Sequence, residues 1–402
     1  MLPGGELLTD EVTGTTSGDR VEVNVWRGGA LVAGGLEVSS WSLDWDADRQ
    51  VQGQATLEVA DPDGELSPWG MGDALAPGGS RAQLTWVSGS SDVRVPVGWW
   101  RLRRAVPAEQ WRLRSVMDAT GTRIVTAGRV PGGGSVSVSA DELTCIPANL
   151  DRLDAEGQPP AGSRCLSEVA RLLRDIMPVV VSPAVVDRDV PASLVYGEGR
   201  MDAVEDLLTQ VDAVYRMGGD GSLQVLPAAL GAPVWTIDGG DEGALINVAR
   251  ALSDKDVYNA VTSTGTSAAG EPLVGRDWLR AGPLKWGVLE PFGRVPAFHR
   301  SIAQTAAGVQ SDAVTRLASL SRTGQIDLPV VCLAHPGIQL HDAVTVVPAT
   351  IDGDAPLVGR VVRKRMASAA DGIPAKSMDL SVRVSVEALE VIAARVAGRR
   401  RG

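Results

Sequence analysis

The sequence predicts a mainly β protein: two tube-like antiparallel β-barrel or sandwich domains flanking a small α+β domain. Three observations carry this. Residues 19–118 alternate apolar and polar side chains in short runs that end at Gly, Pro and Asp. Around 163–217 the apolar period lengthens to that of a helix. From about residue 246 the period-two alternation returns. The expected division is an N-terminal β domain at 1–120, an α+β insert at 121–245, a second β domain at 246–390 and a basic tail at 391–402. A chain of 402 residues is also too long for one ordinary domain.

The elements follow in order. "RVEVNVWRGG", "ATLEVADPDG", "RAQLTWVSGSS", "VRVPVGWWRLRR" and "WRLRSVMDATG" read as short strands closed by turns. "VPGGGSVSVSADEL" is a glycine loop feeding a strand, and "AEGQPPAGS" is a linker. "SRCLSEVARLLRDIM" then sets Leu166, Val169, Leu172, Leu173 and Ile176 at helical spacing, with Ser163 as its cap and Pro178 as its stop. "MDAVEDLLTQVDAVYRM" repeats the helical pattern through Val204, Leu207, Leu208, Val211 and Val214, and "GGDGSLQVLP" turns into a strand. "ALINVARALSD" and "DVYNAVTSTGT" are strands flanking an Asp-Lys-Asp turn. Residues 266–300 read as loop, anchored by Trp278, Trp286, Phe292 and Phe298. "SDAVTRLASLSRTG" is an amphipathic helix. "QIDLPVVCLAH", "AVTVVP", "APLVGRVVRKRMAS" and "SMDLSVRVSVEAL" are again strands.

Composition narrows the function. With 44% hydrophobic and 22% charged residues the chain is globular. A net charge of −11 gives no electrostatic reason to bind DNA or anionic lipid. The run "ARVAGRRRG" reads as a solvated tail or a short docking peptide. Cys145, Cys165 and Cys332 are odd in number and far apart, so no disulfide framework is expected. The N-terminus lacks a signal-peptide pattern, and no apolar run is long enough for a membrane span. The expectation is a soluble protein made in the cytoplasm.

Motifs for chemistry mostly fail on inspection. Gly197 and Gly199 lead into a helix as a dinucleotide loop would, but Asp202 stands where pyrophosphate would sit. Asp61-Pro62-Asp63-Gly64 lacks calcium-loop spacing and is a turn by construction. "GTSAAG" is one residue too long for a nucleophile elbow. His299 has no legible partner. The densest candidate is "VVCLAHPGIQLHDAVTVV", which brings Cys332, His335 and His341 within ten positions. Strand alternation sends Cys332 and His335 to opposite faces, against a zinc site or a thiol dyad. The segment reads instead as a hairpin with its corner at Pro336-Gly337. No catalytic residue, metal site or cofactor is expected. Two other readings stay open: a peptidoglycan hydrolase using Cys332, His335 or His341, and a glycan-binding adhesin with Trp41, Trp45, Trp99 and Trp100 as exposed platforms.

Several phrases together resemble one family. "LPVVCLAHPGIQLHDAVTVV", with His335, Pro336, Gly337, His341 and Asp342, is similar to a segment of bacteriophage baseplate or tail-tip hub proteins. "SDKDVYNAVTSTG" resembles the hub phrase Tyr-Asn-x-Val, met here at Tyr258, Asn259 and Val261. "QATLEVADPDGELSPWG" and "VPVGWWRLRR" resemble the N-terminal β domain of minor tail proteins of actinobacterial phages. The resemblance spans about residues 20–390 and rests on the order of its motifs. It implies a homotrimeric ring at the virion tail tip that closes the distal tail tube and opens for DNA ejection. The implied partners are the distal tail protein ring, the tape-measure protein and the receptor-binding apparatus.

Overall fold

The computed structural model describes all residues except 9–11, 13–18, 109–110, 118, 130–133, 154–156, 192–193, 241–242, 249–257, 268–269, 283, 302, 323–324, 349–355, 371 and 386–402. The expected Asp254-Lys255-Asp256 turn and the basic tail 391–402 fall outside the described residues. The chain packs as two compact units, residues 1–248 with 330–381 and residues 249–329 with 382–402. The three-part division expected from the sequence cuts the chain at other points.

The chain opens with β1 (Arg20–Arg27), β2 (Ala30–Leu36), β3 (Val38–Asp46), β4 (Gly53–Ala60), β5 (Arg81–Val87) and β6 (Arg94–Ala108). A ribbon of β7 (Trp111–Met117) and β8 (Arg123–Arg129) follows, then β9 (Ser135–Glu142). Next come α1 (Cys165–Leu173), β10 (Val179–Val181), α2 (Arg200–Gln210), β11 (Ala213–Met217), β12 (Leu223–Pro227), β13 (Pro233–Asp238) and β14 (Leu245–Val248). The second unit holds β15 (Ala260–Thr266), β16 (Pro272–Trp278), β17 (Pro296–Arg300) and α3 (Ala306–Arg322). The chain ends with β18 (Gln325–Leu333), β19 (Ala343–Val347), β20 (Leu357–Ala370), β21 (Ile373–Pro374) and β22 (Ser377–Ser385).

The molecule is mainly β, as the sequence predicts. The large sheet runs β14-β18-β22-β20-β3-β4-β9-β6-β5-β1-β2, with β19 on β20, β13 on β19 and β21 on β20. Among the described residues it does not close into a barrel. Period-two patterning builds it: β4 buries Ala55, Leu57 and Val59, and β9 buries Val136, Val138 and Ala140. Trp41, Trp45 and Trp100 are buried, with Trp45 and Trp100 tilted at 57° with centroids 5.4 Å apart and Trp41 edge-on to Trp86 at 6.5 Å. Trp99 is half-buried against Trp26. These rings fill core volume, so they are not the exposed platforms an adhesin needs.

Two helices cover a three-stranded sheet, β10-β12-β11, in the first unit. Val169, Leu172 and Leu173 of α1 meet Val204, Leu207 and Leu208 of α2 there. Two sequence expectations change. Ser163 does not cap α1. Its hydroxyl donates to the Pro160 carbonyl, and the Leu166 N–H donates to Asp187 Oδ1 at 3.0 Å instead. The cap comes from 21 residues downstream, beyond any local pattern. Val214 lies on β11 because α2 ends before Asp212, whose positive φ of 51° breaks the helical path.

In the second unit, β16-β15-β17 form a sheet where a loop was expected over 266–300. α3 packs on it through Val261, Ala313 and Leu317. Ala297 faces that helix, so Phe298, the next residue of β17, points away and is 78% exposed. It is no anchor.

Candidate functional site at the 334 to 342 crossover

The segment 334–342 is not a hairpin. Among the described residues β18 pairs with β14 and β22, whereas β19 pairs with β13 and β20, so the chain crosses over between strands that do not touch. It does so in two successive turns, Ile338 N–H to His335 O and Asp342 N–H to Gln339 O. A crossover passing through the interior must satisfy its own backbone groups. Side chains from two strands and one backbone N–H from the N-terminus do this, and the crossover's own Gln339 binds outward. Lys364 of β20 donates Nζ to the carbonyls of Pro336, at 3.1 Å, and Ile338. Arg216 of β11 donates to Leu340 O at 2.8 Å, and the Gln339 amide donates to Met217 O at 3.2 Å. The Leu2 N–H reaches Gly337 O at 2.6 Å. Any Cβ on Gly337 would stand 2.6 Å from Gly5 Cα, so this approach requires glycine.

Asp342 is the charged centre. Its Oδ1 accepts from Arg216 at 2.7 Å and from the Met1 ammonium at 2.8 Å, and its Oδ2 accepts from the Gln339 N–H at 3.0 Å. Burial pushes this carboxyl up, but Arg216 and the ammonium outweigh it and hold it below the usual carboxylate range. Lys364 is fully buried, which pulls its ammonium down to about 7 against the opposing charge of Asp342. It lies 4.9 Å from the Trp45 ring. Burial raises Glu142 to about 8, although Trp45 and the Gly53 N–H both donate to it. Glu142, Lys364, Arg216 and Trp45 line a pocket with about 20 Å³ of free room, roughly that of a single water molecule.

The expected ligands take structural positions. Cys332 is buried on β18 opposite Leu245, and burial pushes its thiol up to about 12, so no thiolate forms near neutrality. His335 is buried edge-on to Trp235 at 4.8 Å and accepts the Gly337 N–H on Nδ1. Burial and Lys364 lower it to about 3, which keeps it neutral. His341 sits at φ 66° and is lowered to about 4 by burial and by Arg360 and Arg216. Among the described residues, no three His, Cys, Asp or Glu side chains form a metal-holding group. This arrangement fastens a backbone crossover rather than activating a nucleophile.

The other motifs resolve in the same way. Asp61 is buried, accepting the Leu66 N–H on Oδ1 and the Ser67 hydroxyl on Oδ2, while Pro62 and Asp63 lead to Gly64 at φ 78°. Asn259, next to half-buried Tyr258, is fully buried in the second unit. Its amide donates to Gly293 O and accepts from Val295 N–H, each at 2.9 Å, which ties down the loop before β17. Asn259→Ala is expected to cost about 2 kcal/mol, because it leaves a buried donor and acceptor unpaired. A urea titration with no shift in midpoint would contradict this.

Sequence reasoning missed Lys364, Glu142 and Arg216. Two of them left a signal. Lys364 falls in phase with Val362 and Met366, and Glu142 in phase with Val138 and Ala140, on strand faces that are otherwise buried. A charge at an inward position of an alternating strand marks a buried polar centre.

No protein-family model matches this sequence, and no curated protein does. Solved structures do. The tail protein from Neisseria meningitidis MC58 superposes with a TM-score of 0.56 at 16% identity, over 90% of this chain and 96% of the other. The chain has the fold of phage tail proteins. The 43 kDa tail protein of prophage MuSo2 from Shewanella oneidensis repeats the match, with a TM-score of 0.57 and 12% identity over 91% of this chain and 99% of the other. At such identities the tail-protein likeness is one of architecture, extending nearly end to end.

Proposed function

We propose that this protein is a structural component of a phage tail tip. Copies of it, three by this reading, form a hub ring that closes the distal end of the tail tube. The ring joins the tube to the receptor-binding apparatus and opens for DNA ejection. Its neighbours would be the distal tail protein ring and the tape-measure protein. The observation that carries the reading is the shared fold with two tail proteins along almost the whole length of each chain. The acidic charge of −11 also suits a conduit, since a wall that gripped phosphates would slow ejection. A rigid crossover pinned by buried charge keeps the sheet in one register under load.

Purified tails provide the test. Peptide mass spectrometry is expected to find the chain in a few copies per tail. Particles made without the protein are expected to lack a closed tip and to be non-infective. Complete, infective tails lacking the chain would overturn the proposal.

A further inference from the structure

The β6–β9 hairpin does not stop at the edge of the main sheet. β6 pairs with β9 as far as Ala108 opposite Ser135, and the ribbon β7–β8 continues from Trp111 opposite Arg129 to Met117 opposite Arg123. Among the described residues β7 and β8 pair only with each other. Seven residue pairs give this ribbon a length of about 23 Å. A two-stranded ribbon alone in water is at best marginally stable. This one also displays apolar side chains to solvent. Cross-strand register puts Leu113, Met117 and Val125 on one face, 79%, 68% and 67% exposed, with Val116 and Ile124 paired on the other. A contiguous exposed apolar patch marks a contact surface.

Charge indicates what covers it. Residues 111–129 of the ribbon carry four arginines against Asp118, a net +3, which leaves −14 on the rest of a chain whose total is −11. Arg123, on the ribbon, is exposed. Every copy therefore carries both a basic apolar arm and an acidic body. The geometry points to the ribbon β7–β8 as an assembly arm that docks on the acidic body of a second copy of this chain. Arm-to-body contact is heterologous, the kind that closes a ring when the rotation permits. The inference rests on the hub reading for its ring and names the contact that would build it.

The test uses the full chain with a photo-crosslinking phenylalanine analogue in place of Leu113. Irradiation is expected to give a covalent dimer of the chain itself, with a yield that falls as salt rises. In sedimentation, Leu113→Asp with Met117→Asp is expected to weaken self-association by roughly 30-fold or more. Arg123→Glu is expected to weaken it less. Because these side chains are exposed in the single chain, thermal midpoints of the dissociated variants should match the parent. An unchanged association constant in the double variant overturns the arm while leaving the hub reading intact. So does a crosslink only to another tail protein, to DNA or to lipid vesicles, and so does a chain that never self-associates. Loss of association in the variants, with the parent chain absent from purified tails, supports the arm and counts against the hub.

Discussion

Asp342→Ala is expected to lower stability by about 3–5 kcal/mol, the usual cost of removing one partner from a buried ion pair. The carboxylate is the common acceptor for Arg216, the Met1 ammonium and the Gln339 N–H. Its loss strands a guanidinium that is nearly inaccessible to water. It also releases the second turn of the crossover, and with it the start of β19. The physical claim is that the uncompensated charge does the damage. Arg216→Met in the Asp342→Ala background is therefore expected to recover part of the loss. Recovery is incomplete because Arg216 also holds Leu340 O and Gln224. Additive losses in the double-mutant cycle would show that the pair is not coupled. Guanidinium denaturation of the four proteins at one pH gives the answer.

The second large effect is in pH dependence. Glu142 has a folded-state pKa of about 8 against 4.5 unfolded. Between those values the folded protein binds more protons than the unfolded chain, so stability falls as pH rises. The contribution is complete below pH 4.5 and gone above about 8. Lys364 acts in the opposite sense, with about 7 folded against 10.5 unfolded. Its penalty is complete below pH 7 and lifts as pH rises towards 10.5. Taken alone, these two groups would place a stability minimum near pH 7–8. His335 and His341, held at about 3 and about 4 in the fold against 6.5 unfolded, add stability as pH rises to 6.5 and oppose the Glu142 contribution over that range. The share of Glu142 itself between pH 4.5 and 7 is on the order of 3 kcal/mol. Glu142→Gln is expected to remove that share, so that the variant gains stability relative to the parent from pH 5 to 7, and to leave the alkaline rise in place. Parallel profiles for parent and variant from pH 5 to 7 would mean that Glu142 is ionised in the fold.

Much of the fold was legible because one face of most strands is buried. Runs such as Gly53–Ala60 and Ser135–Glu142 carry strict alternation, and the α1 and α2 stripes carry a helical period. What the sequence concealed depends on long-range partners. The crossover at 334–342 has the composition of a hairpin corner, and only pairing with strands 82–110 residues away in sequence reveals otherwise. β16 and β17 are short, contain or begin with proline or glycine, and are defined by β15 between them. His335 and His341 attracted attention as chemistry-bearing residues, yet burial makes both neutral. The groups that organise the site are a lysine and an arginine at inward strand positions.

The hub reading is tested most directly by electron microscopy of purified tails carrying a gold-labelled antibody against this chain. Label confined to the distal end of the tail, beyond the last ring of the tube, is the expected result. Label spread along the shaft, or none on intact tails, would contradict it.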